Sequence, residues 1–121
     1  MTAQDLAEAW TAFWNGELER AGDLLTADFR IHFGGADDAS VRGDAIKGPQ
    51  EMAAYVRDFQ AGRAGLRFAV DAPPIADDFG FALRWSAQRP GVSVSGIDVL
   101  RLAGERIAEV WSITGARRFP A

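Results

Sequence analysis

Three runs in the C-terminal third alternate apolar and polar residues with a period of two, and only short turns separate them: Phe79 to Gln88, Val92 to Leu102 and Arg106 to Thr114. That alternation predicts strands. The turns Arg89-Pro90-Gly91-Val92 and Ala103-Gly104-Glu105-Arg106 carry residues favoured in two-residue hairpin loops, so the runs predict an antiparallel meander of fixed register. The register sets Trp85 opposite Gly96, Phe81 opposite Leu100, and Asp98 between Leu83 and Trp111. One face then gathers Phe79, Phe81, Leu83, Trp85, Val94, Gly96, Asp98, Leu100, Leu102, Ile107, Trp111 and Ile113, with Glu109 as its only other charge. The reverse face carries Arg84, Ser86, Ser93, Ser95, Arg101, Ser112 and Thr114 mixed with Ile97, Val99, Ala108 and Val110, a composition suited to an exposed or self-pairing sheet surface.

Asp98 is thus an acid on an apolar face. An ionised carboxylate buried without a partner is costly, so such a group gains a hydrogen bond, a counter-charge or a proton. It reads either as a general acid/base or ligand anchor, or as a carboxyl satisfied by an indole N–H or a Tyr hydroxyl. Gly96 weakens its strand, and room for the neighbouring indole or for a ligand is a reason to keep it.

The first half of the chain has a different period. Thr2 and Asp5 form a capping-box pattern, and Leu6, Ala9, Trp10, Phe13 and Trp14 follow at helical spacing until Asn15-Gly16. Glu17 to Leu25 predicts a second short helix, and Phe29 to Phe33 a strand in which His32 shares a face with Arg30. Gly34 to Lys47 has no apolar period and is expected to be a loop; Asp37, Asp38 and Asp44 within it match no calcium-binding spacing and are expected to be solvated. Gly48-Pro49 opens a third helix with Met52, Tyr55, Val56 and Phe59 on one stripe, and Leu66 to Asp71 is a strand. Helices first and antiparallel strands afterwards predict an α+β fold, a curved sheet covered by helices on one face.

The 121 residues fit one domain and can bury a real core. No cysteine is present, which removes disulfides, thiolate metal sites and cysteine nucleophiles and favours a reducing compartment such as the cytoplasm. No run is apolar enough to span a membrane. A net charge of -4 repels phosphate backbones, which argues against nucleic acid as a partner. Eight Phe and four Trp are a large aromatic endowment, enough to fill a core and line a pocket.

A Trp-bearing first helix ending in Asn15-Gly16, the Phe29-Arg30-Ile31-His32 strand, the Gly48-Pro49 helix, Leu83-Arg84-Trp85, Gly96-Ile97-Asp98-Val99-Leu100-Arg101 and Ile107-Ala108-Glu109-Val110-Trp111 together resemble the nuclear transport factor 2-like superfamily, specifically its SnoaL-type polyketide cyclase and ketosteroid isomerase-like branch. The resemblance spans nearly the whole chain. It implies one SnoaL-like domain over residues 1–121, a cone of about three helices on a strongly bent, mostly antiparallel sheet, a hydrophobic cavity inside, and a homodimer paired through the outer sheet face. It also implies that Asp98 is similar to the acid that handles protons in the cyclases, and is placed like the oxyanion-hole acid of the isomerases. Trp10 falls near the isomerases' hydrogen-bonding Tyr, and an indole can donate but cannot exchange a proton usefully. The isomerase base position falls near Phe33, which is inert, leaving the adjacent His32 as its substitute. The acid that cyclases carry beyond the final-strand Trp falls on Gly115.

The sequence therefore predicts cofactor-independent acid/base chemistry on a hydrophobic carbonyl compound, with no metal. Asp98 and His32 would form a proton-transfer couple across the cavity, and Trp10, Trp14, Phe33, Tyr55, Phe59, Leu83, Trp85 and Trp111 would line the pocket. The alternative is a ligand-binding or dimerisation module that keeps the cavity without the chemistry.

Overall fold

A computed structural model describes residues 1–35 and 38–120. Among the described residues four α-helices and six strands follow one another as α1 (Ala3–Trp14), α2 (Ala21–Leu24, after a 3-10 turn at Leu18–Arg20), β1 (Leu25–Phe33), α3 (Asp38–Ala45), α4 (Gly48–Ala61), β2 (Arg67–Val70), β3 (Ile75–Ala76), β4 (Gly80–Arg89), β5 (Val92–Ala103) and β6 (Arg106–Thr114). The sheet runs β1-β6-β5-β4-β2, with β3 also on β4. It is mixed, since β1 lies parallel to β6 while every other pairing is antiparallel.

The capping box at Thr2 and Asp5 forms as the spacing predicts: Thr2 Oγ1 accepts from the Asp5 amide at 3.1 Å, and Asp5 Oδ2 from the Thr2 amide at 3.0 Å. The buried stripe Leu6, Trp10, Phe13 and Trp14 then lies over the sheet's concave face. At the helix end the Asn15 side chain imitates a strand residue. It donates from Nδ2 to the Phe68 carbonyl at 3.0 Å and accepts at Oδ1 from the Phe68 amide at 2.8 Å, which ties α1 to β2. Phe29, Ile31, Leu83, Leu100, Ile107 and Val110 face the helices from the sheet and are almost fully buried.

The structure differs from the sequence reading in three places. The predicted loop 34–47 contains α3, a helix with no apolar stripe of its own. Tertiary contacts hold it: Arg30 Nη2 donates to the Asp44 carbonyl at 2.6 Å, and buried Gly43 lies so close to Phe33 that a Cβ would overlap the ring. Asp37 of the acidic loop lies outside the described residues. The predicted second helix forms over residues 18–24 as a 3-10 turn continued by one turn of α-helix, and it ends there because the chain joins the sheet at Leu25, four residues before the alternation becomes visible.

The third difference bears on the site. The β4–β5 hairpin keeps the predicted register, with Leu83 paired to Asp98 and Trp85 to Gly96. The β5–β6 hairpin starts as predicted, pairing Leu102 with Ile107, but a register shift between Arg101 and Leu102 moves the rest by one residue. Asp98 consequently pairs with Ser112 and not with Trp111. A one-residue slip exchanges the faces of all that follows. Val110 and Ser112 turn inward, whereas Glu109, Trp111 and Ile113 turn outward, and Trp111 and Ile113 are exposed. Phe79 precedes β4 and packs on Trp111 outside the cone, so it too leaves the predicted inner face.

Candidate functional site

The concave face does not close solidly over the sheet. A cavity of about 560 Å³ opens between α1, α4 and the inner faces of β4, β5 and β6. Trp10, Trp14, Phe33, Tyr55, Phe59, Leu83, Trp85 and Asp98 all line it, joined by Thr11, Phe68, Val94 and Ser112. Its aromatic wall is one edge-to-face network in which Trp14 meets Phe33, Tyr55 and Phe59 at centroid distances of 6.4, 6.2 and 5.4 Å. Such contacts fix ring positions while leaving an apolar surface for a flat ligand.

Asp98 is 5% exposed. Trp10 Nε1 donates to its Oδ2 at 2.9 Å and Trp85 Nε1 donates to its Oδ1 at 3.0 Å, and Ser112, its ladder partner on β6, brings a hydroxyl beside the carboxyl. Each partner has a structural origin. Trp10 is carried on the buried stripe of α1, Trp85 lies on the same face of β4 as Leu83, the residue facing Asp98, and Ser112 arrives through the register shift in β6. Gly96 is the accommodation for Trp85, since a Cβ there would overlap the six-membered part of its indole.

Among the described residues no cation pairs with Asp98. Burial therefore dominates and raises its pKa above the ordinary carboxylate value, although the bonds from Ser112, Trp10 and Trp85 each pull the other way. The two indoles can only donate, so they occupy acceptor sites of the carboxyl in either protonation state. The Ser112 hydroxyl can donate to the carboxylate or accept from the acid. The arrangement can thus hold a proton on Asp98 or release it without rebuilding the site.

His32 and Trp111 do not belong to this cavity. His32 lies on the outer face of β1, where Nε2 is 2.8 Å from Glu109 Oε2 and Nδ1 is 3.1 Å from Asp44 Oδ1. Its pairing with Asp98 is excluded by strand alternation, which sends Phe29, Ile31 and Phe33 inward and His32 outward. Trp111 stands beside it, 5.9 Å from the His32 ring centroid, displaced there by the register shift. Ser112 is the residue that sequence reasoning missed, and only the shift in β6 reveals it. Among the described residues no group of three or more His, Asp or Glu side chains is arranged to hold a metal.

A family model described as a SnoaL-like domain matches residues 6–110. Solved structures share the architecture at low identity. A candidate isomerase of the SnoaL-like family from Agrobacterium tumefaciens is 23% identical with a TM-score of 0.77, the match covering 95% of this chain and 99% of that one. A candidate polyketide cyclase from Streptomyces antibioticus is 20% identical with a TM-score of 0.73, covering 94% and 92%. A candidate ketosteroid isomerase from Kribbella flavida is 18% identical with a TM-score of 0.76, covering 98% and 82%. No curated protein matches the chain. These likenesses show the fold, an α+β cone of the nuclear transport factor 2-like type.

Proposed function

The chain belongs to the SnoaL-like family, and from that premise we propose that it acts as one domain whose cavity is the active site of a cofactor-independent cyclase or isomerase for a hydrophobic carbonyl compound. The observation that carries this reading is Asp98, a buried acid with two indole donors and a neighbouring hydroxyl, no cationic partner among the described residues and a raised pKa, at the wall of an aromatic cavity. In its protonated form Asp98 donates a hydrogen bond to a substrate carbonyl and stabilises the charge that grows there on enolisation. In its ionised form it accepts a proton from the carbon beside that carbonyl. Trp10 and Trp85 hold the carboxyl in place as donors, and Ser112 accommodates either state. Trp14, Phe33, Tyr55, Phe59 and Leu83 exclude water and bind the apolar body of the substrate.

The test follows deuterium incorporation from D2O beside the carbonyl of a 3-ketosteroid and of a polycyclic ketone, with affinity measured in parallel. Asp98→Asn is expected to lower exchange by about 10²-fold or more while affinity stays within about threefold. Unchanged exchange in the variant defeats the assignment.

A second reading has its own support. Both oxygens of Asp98 already accept indole N–H bonds, and His32, the expected second proton carrier, lies outside the cavity, an arrangement that also suits a ligand-binding module. Tight binding of both ketones by the parent protein with no exchange would favour that module.

The outer sheet face supports pairing of two copies. Ile97, Val99, Trp111 and Ile113 stand exposed on adjacent strands β5 and β6. Among the described residues no helix is long and apolar enough to cross a membrane.

A further inference from the structure

Apart from Asp98, the lining of the cavity has a charge opposite to that of the protein. The chain carries a net charge of -4, yet the other charged residues that line the cavity are Arg42, Arg63, Arg89 and one acid, Asp58. Asp58 already lies 3.3 Å from Arg57. Among the described residues none of the three arginines has a carboxylate within ion-pairing distance. Arg63 and Arg89 lie at one end, since the Leu66 amide donates to the Arg63 carbonyl and Arg67 pairs with Gln88, the neighbour of Arg89, whereas Arg42 of α3 reaches the lining from the side of Phe33. Arg63 is held in position, with its guanidinium 3.9 Å above the Phe59 ring and Nη1 donating to the Phe59 carbonyl at 3.3 Å. A guanidinium stacked on a lining ring keeps further donors free for an incoming anion.

The distance between the two ends sets the length of the ligand. Asp98 pairs with Leu83 and Arg89 pairs with Val92, so the two ends lie six residues apart along β4. At the rise of a strand that is up to about 20 Å. Trp85, Ala87 and Val94 occupy the interval and are apolar. We propose that the cavity takes elongated hydrophobic carboxylates, with the carbonyl end against Asp98 and the carboxylate held at the rim formed by Arg63 and Arg89. Planar guanidinium groups match a carboxylate bidentately, and cations lining the cavity of an acidic protein steer an anion toward it. This inference rests on the reading of Asp98 as the carbonyl-facing acid and adds the chemistry of the ligand's other end.

The test uses acid and methyl-ester pairs that differ only in that group: 3-oxoandrost-4-ene-17β-carboxylate, an anthraquinone carboxylate and a long-chain oxo fatty acid, each against its ester. Binding is read from quenching of tryptophan fluorescence. At about 20 mM NaCl the acids are expected to bind about fivefold or more tightly than the esters, and at about 500 mM NaCl the advantage shrinks toward unity. The double variant Arg63→Gln/Arg89→Gln removes most of the acids' advantage and leaves ester affinity within about twofold. Equal binding of acid and ester, or a variant that weakens both alike, overturns the rim while leaving the reading of Asp98 intact. Failure of every acid and every ester to bind overturns both. Loss of ketone exchange in Asp98→Asn with the salt-dependent preference retained separates the two ends of the cavity.

Discussion

Asp98 on β5 and Glu109 on β6 are carboxylates of neighbouring strands on opposite faces of one sheet, and the protein shifts their pKa values in opposite directions. Inside, Asp98 receives only neutral donors, and burial raises its pKa. Outside, Glu109 lies between His32 at 2.8 Å and Arg101 at 3.4 Å, and its pKa falls, the hydrogen bond from His32 contributing most. Both acids are well provided with hydrogen bonds. The difference is that neutral donors offset only part of what desolvation takes from a carboxylate, whereas partly hydrated cations offset more than the small desolvation at the surface. An acid whose neutral form the surroundings favour suits chemistry, and an acid whose charged form they favour suits structure.

Removing each acid tests that contrast most severely. Asp98→Ala strands two indole N–H groups and is expected to cost roughly 2–4 kcal/mol in a denaturant titration, while Glu109→Ala costs under about 1 kcal/mol because its partners return to solvent. Equal costs would show that the inner network is no more demanding than the outer one. Gly96→Ala probes the inner site without touching an acid. The added methyl displaces the Trp85 indole from Asp98 and should destabilise the protein by about 1–3 kcal/mol, with the altered indole visible in near-ultraviolet circular dichroism. A variant with unchanged stability and spectrum would mean that the cavity absorbs the methyl freely.

The smallest effect concerns the outer face. Desolvation draws the pKa of His32 down, but hydrogen bonds to Glu109 and Asp44 outweigh it and leave it above the ordinary 6.5. A raised pKa in the folded state means that folding favours the protonated ring. The stabilisation is complete below the unfolded value of about 6.5 and fades as pH rises through the higher folded value. His32→Gln should therefore lower stability by a few tenths of a kcal/mol at about pH 5.5, discounted for partial exposure, and by less at about pH 8.5. A deficit that grows with pH would contradict the pairing.

Much of this was legible in the chain. The capping box, the buried stripe of α1, the β4–β5 register, the close approach of Gly96 to Trp85 and the inward aim of Asp98 all follow from spacing and turn chemistry. The positions of Ser112, Trp111 and Glu109 did not, because β6 supports two alternations that differ by one residue. One turns Glu109, Trp111 and Ile113 inward, and the other turns Val110, Ser112 and Thr114 inward. Each mixes polar and apolar residues, so neither is excluded by hydrophobicity alone. The register shift beside Leu102 decides between them, and β1 accepts the result by pairing in parallel, which places His32 beside Trp111 and Glu109.

The sequence by itself determined an α+β chain with a two-sided meander and Asp98 on its apolar face, since hydrophobic period and turn residues act over a few neighbours. Only the tertiary structure decided what meets that acid. The Trp10 indole comes from 88 residues away and Ser112 from across a shifted ladder, and such meetings depend on how whole elements pack against one another. α3 follows the same rule: its own residues lack an apolar stripe, and it is held by Phe33, Arg30 and His32 of a strand that precedes it.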